Sequence, residues 1–535
     1  MSGNGIAKNA AVVGFMTFIS RIGGLIREIL MARFFGAGVE KSAFDVAYRI
    51  PNLFRRLFGE GALSAALIPI YTETVATKGR KEADAIAAAV AGIVMAILAV
   101  ACVVGILATY AIADFLHLDD RWLRIMPLLR IMLPYAPLIC LAAIVMGVLN
   151  SLGSFAVSAL APAFQNLCCI VALAAICPFV PAEGPLRIEI VSWSIVVSGV
   201  VQVAVQLPEL RRRGVPLSLI LPLRPPEGVG RVFTLMLPMA LSAGVVQINV
   251  CLDSILAMKA GEWGPSVLGY ADRIVYLPLA MFGTAFSTVL LPTLSSFAAV
   301  GDYRSFSDSF SRSLRNSIVV LVPASAAMIA LAGLIVSLIY ESGAFDIVST
   351  ARTAVALIAY SAGLVAAGGH KMAVTALYAM KDSRTPVIVG TCGVALNLAM
   401  NLFFIWILPA EFKPVGIAIA TSISSFVAWS ALLAILARRS GDECGLFAFS
   451  SIGKVLLLAL VSGAAMAIVC RAAAFAALGV FAIQGCGIAE KLKLLAVLSM
   501  AAFAGTAVYL LLMRIFCPDA LRELVADFRT RRRKV

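Results

Sequence analysis

SRIGGLIREILMARFFGAGVEKSAFDVAYRIPNLFRRLFGEGALSAALIPIYTE, residues 20–73, is apolar enough to enter a membrane. It nevertheless carries Arg21, Arg27, Arg33, Arg49, Arg55 and Arg56 together with Glu28, Asp45 and Glu60. An ionisable side chain at the bilayer centre costs about 2.5–3.5 kcal/mol on insertion scales. Helices carrying several of them need a wet cavity, partner charges or an anionic ligand. The choice of arginine narrows this further, because its planar, permanently charged fork binds phosphate through two parallel hydrogen bonds. The stretch therefore implies a cation-lined cavity within a membrane protein, suited to a phosphorylated ligand.

The rest of the chain agrees. Its 535 residues are 61% hydrophobic and 13% charged, against roughly 45–50% and 25% in a soluble domain. The apolar runs are of helix length and lack the alternation of a membrane barrel, so the fold class is an all-α polytopic membrane protein. The net charge of +14 then reads as orientation and contact with anionic lipid rather than binding of nucleic acid. Of eleven cysteines, Cys102, Cys140, Cys168, Cys169, Cys392 and Cys470 lie inside apolar runs and no CxxC occurs, so they read as small buried hydrophobes. With His117 and His370 the only histidines, a histidine-rich metal site is excluded, and His370-Lys371 reads as structural. The run 10–19 leads straight into Arg21 with no cleavage-site pattern, so no cleavable signal is expected.

Fourteen transmembrane helices are expected, near 8–34, 43–72, 85–115, 125–151, 157–180, 186–208, 231–258, 266–298, 313–340, 350–380, 386–408, 414–437, 454–476 and 492–516. An even number places both termini on one side. Sixteen basic residues fall in the loops on the side of the N-terminus and ten, Lys41 among them, in the opposite set. With the basic tail RELVADFRTRRRKV (522–535) added, the bias predicts N-in, C-in. The tail itself reads as an orientation signal touching headgroups.

An internal repeat sets the domain organisation. AYRIPNLFRRLFGEGALSAALIPIYT (47–72) aligns with ADRIVYLPLAMFGTAFSTVLLPTLS (271–295), pairing Arg49 with Arg273, Ser64 with Ser287 and Pro69 with Pro292. A weaker echo pairs GVLNSLGS (147–154) with ALYAMKDS (376–383). The offset is six helices, so the halves share orientation, and parallel repeats place a substrate site between them. The expected organisation is two parallel-related six-helix lobes, 1–228 and 229–440. Two extra helices follow in 441–517, then a basic cytoplasmic tail in 518–535.

No P-loop, GxSxG, HExxH or paired-cysteine motif appears, so the chain is not read as an enzyme. What remains is helical geometry. Ser20 and Arg27 share a face, as do Arg21 and Glu28, and Asp45, Arg49, Asn52, Arg56 and Glu60 fall within about 80° of one another. The spacings Asp45–Arg49 and Arg56–Glu60 predict i,i+4 ion pairs. Pro51 removes a donor, and Gly59 and Gly61 loosen the next turn, which predicts a bent or broken helix facing water. The wheel favours Arg56 over Arg55 for the cavity, but Pro51 makes it unreliable. Asp253, near Gln247 and Asn249, and Asn397 with Asn401 form a candidate Na⁺ site, set against plain interhelical amide hydrogen bonds.

The pattern SRxxGxxR…FGAG…RIPNLFRRLFGEGALSAALIPIYTE, then YADR…P…G…LLPTLS, then KDSRTPV, resembles the lipid II flippases of bacterial cell-wall synthesis (the MviN/MurJ family), relatives of the multidrug MATE exporters. The resemblance implies an inner-membrane protein that moves undecaprenyl-pyrophosphoryl-MurNAc-pentapeptide-GlcNAc from the inner to the outer leaflet by alternating access. It implies that Arg21, Arg27, Arg55 and Arg273 line the central cavity, and so selects Arg55 over Arg56; Arg49 and Asn52, on the wheel face shared with Asp45, are added as candidate substrate ligands. It implies that the two extra helices form a groove for the lipid tail. Glu28, Asp45, Arg56 and Glu60 are then the gating and ion-pair set. No cofactor is expected beyond the candidate Na⁺, with membrane potential as a driving force; the expected partners are lipid II, membrane lipids and the cell-wall synthesis machinery. Two positions depart from the family pattern, Ser42 and Tyr276, where acids are often found. The alternatives are an exporter of another polyprenyl-linked saccharide, a MATE-type drug or cation antiporter, for which a carboxylate-dominated cavity is expected, and a scaffold that transports nothing.

Overall fold

A computed structural model of the chain describes residues 3–57, 63–115, 119–154, 157, 160–216, 219, 221, 225–439, 442–481 and 487–523. Two compact units divide at Ser266. The first holds α1 (Gly3–Phe35), α2 (Val39–Phe54), α3 (Leu63–Thr77), α4 (Arg80–Phe115), α5 (Asp120–Met132), α6 (Tyr135–Ser151), α7 (Ala163–Val171), α8 (Leu186–Arg212) and α9 (Glu227–Ala260). The second runs from within α10 (Gly264–Pro278) through α11 (Thr284–Val300), α12 (Tyr303–Ala330), α13 (Ala332–Tyr340), α14 (Ile347–Ala362), α15 (Leu364–Ala379), α16 (Arg384–Ile407), α17 (Lys413–Arg439), α18 (Asp442–Phe481) and α19 (Ile488–Phe516).

Among the described residues eight spans are long and apolar enough to cross a membrane, and the bent pair α14–α15 makes a ninth. The chain is thus an all-α polytopic membrane protein. The other five expected segments coincide with α1, α2–α3, α7, α9 and α10–α11, which do not meet that criterion over their described residues.

The first unit packs around a core that includes Met31, Leu63, Leu67, Tyr71, Met132 and Tyr135. The packing boundary at 266 falls beyond the expected repeat boundary at 228 because α9, which follows the latter, packs on α2, α3 and α4. Arg231 meets Glu73 with two 3.0 Å bonds and Lys78 meets Glu227 at 3.3 Å, tying α9 to the end of α3. These pairs are exposed and contribute little stability. In the second unit, Tyr270, Tyr340 and Phe345 form a buried aromatic cluster with centroids 4.7–5.8 Å apart. There α18 and α19 pack on each other and on α12. Tyr509 donates to the Val319 carbonyl at 3.0 Å, and Arg315 pairs with Glu523 at 3.1 Å.

The repeat is visible in the backbone. A π turn at 55–57 follows Arg49 by six residues, and the π segment Leu279–Gly283 follows Arg273 by six. A proline sits upstream of each, Pro51 and Pro278, where the missing N–H frees a carbonyl and lets the helical register slip. The two stretches of the second echo close on the same cap geometry, in a register moved by one residue. Helix α6 ends with Gly153 (φ +78°) donating to Asn150 O and Ser154 N donating to Leu149 O. Helix α15 ends with Lys381 (φ +60°) donating to Tyr378 O and Asp382 N donating to Leu377 O. Gly153 therefore corresponds to Lys381, not to Asp382. Side-chain similarity misplaced the match because it does not report which residue takes the left-handed conformation that closes this helix cap.

Each cap is clasped by an arginine at the end of a later helix. Arg213 donates to Leu152 O and to Glu209, each at 3.0 Å, and the Ser154 hydroxyl donates to Glu209 at 3.0 Å. In the second unit, Arg439 pairs with Asp382 and donates to the Thr385 hydroxyl at 3.2 Å. The Asp382 carboxylate also accepts the backbone N–H groups of Arg384 and Thr385. Hydrogen bonds from Thr385, and then the Arg439 guanidinium, hold the Asp382 carboxyl down at about 2. A folded-state value below the unfolded one stabilises above the ordinary aspartate range and is lost as pH falls through the folded value. Thermal unfolding of Asp382→Asn against the parent should show a constant deficit from pH 7 to about 4, shrinking toward pH 2. A deficit that disappears near neutrality would refute the clasp.

Candidate functional site

Helices α1 and α2 are joined by the FGAG turn. Gly36 takes φ +59°, which only glycine adopts at little cost, and its N–H closes on Ala32 O at 2.8 Å. The reversal brings the start of α2 back along α1 and assembles a row of alternating charges. Arg27 Nη2 lies 2.8 Å from Glu28 Oε1, Glu28 Oε2 lies 3.6 Å from Lys41 Nζ, and Lys41 Nζ sits 2.5 and 2.6 Å from the two Asp45 oxygens. Glu28 is 4% exposed and Lys41 2%. Signs alternate and cancel, which is what allows these charges to be buried.

Two expectations need correction here. Asp45 pairs with Lys41, not with Arg49. Both cations stand four residues from it, but Lys41 is sealed from water and has the greater need of a counter-charge. Lys41 is also no loop residue: it lies in the first turn of α2. Its i,i+4 spacing to Asp45 was the available signal; a lysine next to a glycine-rich turn reads as loop.

The other site residues fall as follows. Arg21 is exposed on α1, one residue after Ser20, whose carbonyl accepts from Asn166 of α7 at 2.9 Å. Gly23 makes room for Asn166, since a Cβ there would stand 3.3 Å from the Asn166 Cβ. Arg49 is half-buried on α2. Asn52 is buried and accepts from Arg55 Nε at 2.8 Å, which fixes the half-buried Arg55 at the π turn. Arg56 is exposed, with Nη1 3.4 Å from Gln247 Oε1 on α9. The local break thus sends the two adjacent arginines to different partners. Arg273 is exposed on α10 in the second unit. Glu60, with Gly59 and Gly61, lies outside the described residues, as does most of the basic tail. Ser42, at one of the departures from the family pattern, is buried and bonds the Ser266 hydroxyl at 3.0 Å. Tyr276, at the other, is exposed.

The candidate Na⁺ ligands carry hydrogen bonds of their own. Asn249 donates to Asp253 at 3.4 Å in the first unit. In the second, Asn401 donates to Asn397 Oδ1 at 3.0 Å and Asn397 to the Thr421 hydroxyl at 3.3 Å, the pattern of an amide network between α16 and α17.

Against known proteins, residues 31–485 match the family model described as "Lipid II flippase MurJ". The chain belongs to the lipid II flippase MurJ family. Among MurJ relatives, the "Lipid II flippase MurJ" of Burkholderia cenocepacia is 34% identical over 424 residues, covering 78% of this chain and 81% of that one. The "Probable lipid II flippase MurJ" of Rhizobium meliloti is 32% identical, covering 86% of each. A solved MurJ structure in an inward closed conformation has the same fold, with TM-score 0.72 at 22% identity over 96% of this chain and all of that one. An inward-facing MATE-family multidrug transporter of the MOP superfamily shares it more distantly, with TM-score 0.65 at 15% identity over 79% of this chain and 94% of that one.

Proposed function

We propose that this MurJ-family chain is a lipid II flippase, carrying the undecaprenyl-pyrophosphate-linked peptidoglycan precursor from the inner to the outer leaflet of the bacterial cytoplasmic membrane by alternating access. The family match over residues 31–485 carries the reading. The chain is then a multi-pass inner-membrane transporter and not an enzyme. The arginine content of 20–56 supports it independently, because a pyrophosphate offers oxygens to several guanidinium forks. Arg21, Arg27, Arg49, Asn52 and Arg55 from one half of the repeat and Arg273 from the other are the proposed headgroup ligands. Moving a unit charge through 100 mV is worth about 2.3 kcal/mol, enough to bias a cationic site between two states. Depletion of the protein should accumulate lipid II in the inner leaflet, and re-expression should clear it. Accumulation of a different polyprenyl-linked saccharide would reassign the substrate.

The finer architecture belongs to this proposal: fourteen spans, lobes at 1–228 and 229–440, a two-helix appendage at 441–517 forming the lipid-tail groove, and both termini cytoplasmic. A reporter fused after Val535 should read cytoplasmic, and one inserted in 478–490 should read periplasmic. Opposite readings at both places would overturn the orientation.

A further inference from the structure

Arg130 is an ionisable residue inside an apolar segment, outside the α1–α2 charge row and the proposed headgroup ligands. It stands ten residues into α5, about 15 Å along the helix. Its Nε donates to the Thr109 hydroxyl at 2.8 Å and its Nη2 to the Thr109 carbonyl at 3.1 Å, while its guanidinium lies 3.5 Å from the ring centroid of Tyr110. Thr109 is buried and Tyr110 is 52% exposed, in line with the exposed Val103 and Leu107 on the same helix. One edge of the fork is therefore clamped to α4 and one face is stacked on an aromatic ring. On the far edge of the fork, Nη1 meets no acceptor among the described residues and Nη2 only the Thr109 carbonyl, at a surface that is otherwise apolar.

A rigidly held arginine with an open bidentate edge is built for a tetrahedral oxyanion. Thr109 lies six residues before the end of α4, and α5 begins with Asp120, Arg121 and Arg124. The guanidinium thus sits roughly 9 Å below the polar end of the hairpin, near the boundary between hydrocarbon and headgroups. An ordinary snorkelling arginine stays flexible and wet; this one is fixed and half-buried. We propose that Arg130, Thr109 and Tyr110 form a binding site for the phosphate of an anionic glycerophospholipid at the outer surface of the α4–α5 hairpin. The site is separate from the transport residues and holds for either orientation of the chain.

Native mass spectrometry of the full-length protein in detergent with added phosphatidylglycerol tests it. The parent should retain the lipid, and Arg130→Gln should weaken retention about tenfold. Arg130→Lys, which keeps the charge and loses the fork, should weaken it comparably. Tyr110→Phe should retain the lipid and Tyr110→Ala should lose it in part, while Arg124→Gln on the same hairpin should change nothing. If Arg130→Gln does not accumulate, the Lys and Tyr110 variants decide alone. Equal retention in the parent and in the Arg130 variants would overturn the site. Displacement by soluble glycerol phosphate at matching concentration would overturn a lipid as the ligand. Arg130-dependent binding of undecaprenyl pyrophosphate but not of phosphatidylglycerol would overturn the phospholipid assignment. Arg130→Gln should still complement a depletion strain, so failure here and failure of the flippase reading are distinguishable.

Discussion

Arg273→Ala is expected to reduce lipid II translocation about ten- to a hundredfold at normal protein abundance, from the loss of charge-assisted hydrogen bonds worth roughly 1.5–3 kcal/mol. The reasoning starts from the repeat. Arg273 and Arg49 each stand six residues before a π turn, so the two halves present arginine at the same place relative to a local break. Such breaks concentrate at functional positions because they re-aim side chains and free backbone groups. Arg273 is exposed on α10, so its removal opens no cavity and the variant should insert and accumulate. Arg273→Lys keeps the charge and loses the bidentate geometry, and it should be impaired as well. Complementation of a depletion strain, with outer-leaflet lipid II and protein abundance measured together, reads both. Full activity of Arg273→Ala would sink the phosphate clamp and favour a scaffold. Full activity of Arg273→Lys alone would favour a general positive potential over fork recognition.

Lys41→Met should produce the largest loss of stability. Lys41 is the third member of the row Arg27–Glu28–Lys41–Asp45, and its ammonium is bonded to both Asp45 oxygens. Removing one partner of a buried ion pair leaves its counter-charge uncompensated, at about 3–5 kcal/mol. Replacing both partners by apolar groups of similar shape is far less costly. Lys41→Met should therefore unfold well below the parent in detergent, and Lys41→Met with Asp45→Leu should recover much of the difference. If the single variant unfolds together with the parent, the row does not stabilise the fold and this reading is overturned.

Much of this protein was legible in its composition and in one stretch of 54 residues. Helix-length apolar runs dictate an all-α membrane protein, because only internally bonded backbone survives in hydrocarbon. The arginines of 20–56 point to an anionic ligand because nothing cheaper explains charge at that density. The broken segment followed from Pro51, since a missing N–H acts locally and needs no partner. Tertiary structure decided what depends on long-range geometry. The FGAG reversal is local, but only packing of α2 along α1 buries Lys41, brings it to Glu28 and makes it, rather than Arg49, the partner of Asp45. The slip at 55–57 parts Arg55 from Arg56, sending one to Asn52 and the other to Gln247. The cap that pairs Gly153 with Lys381 is a matter of φ, invisible to residue similarity. Arg130 is held by Thr109 and Tyr110, which lie about twenty residues upstream on another helix. Sequence states which charges a membrane must accommodate; only the folded chain states which of them meet, because Coulomb and hydrogen-bond energies depend on distances that spacing alone does not specify.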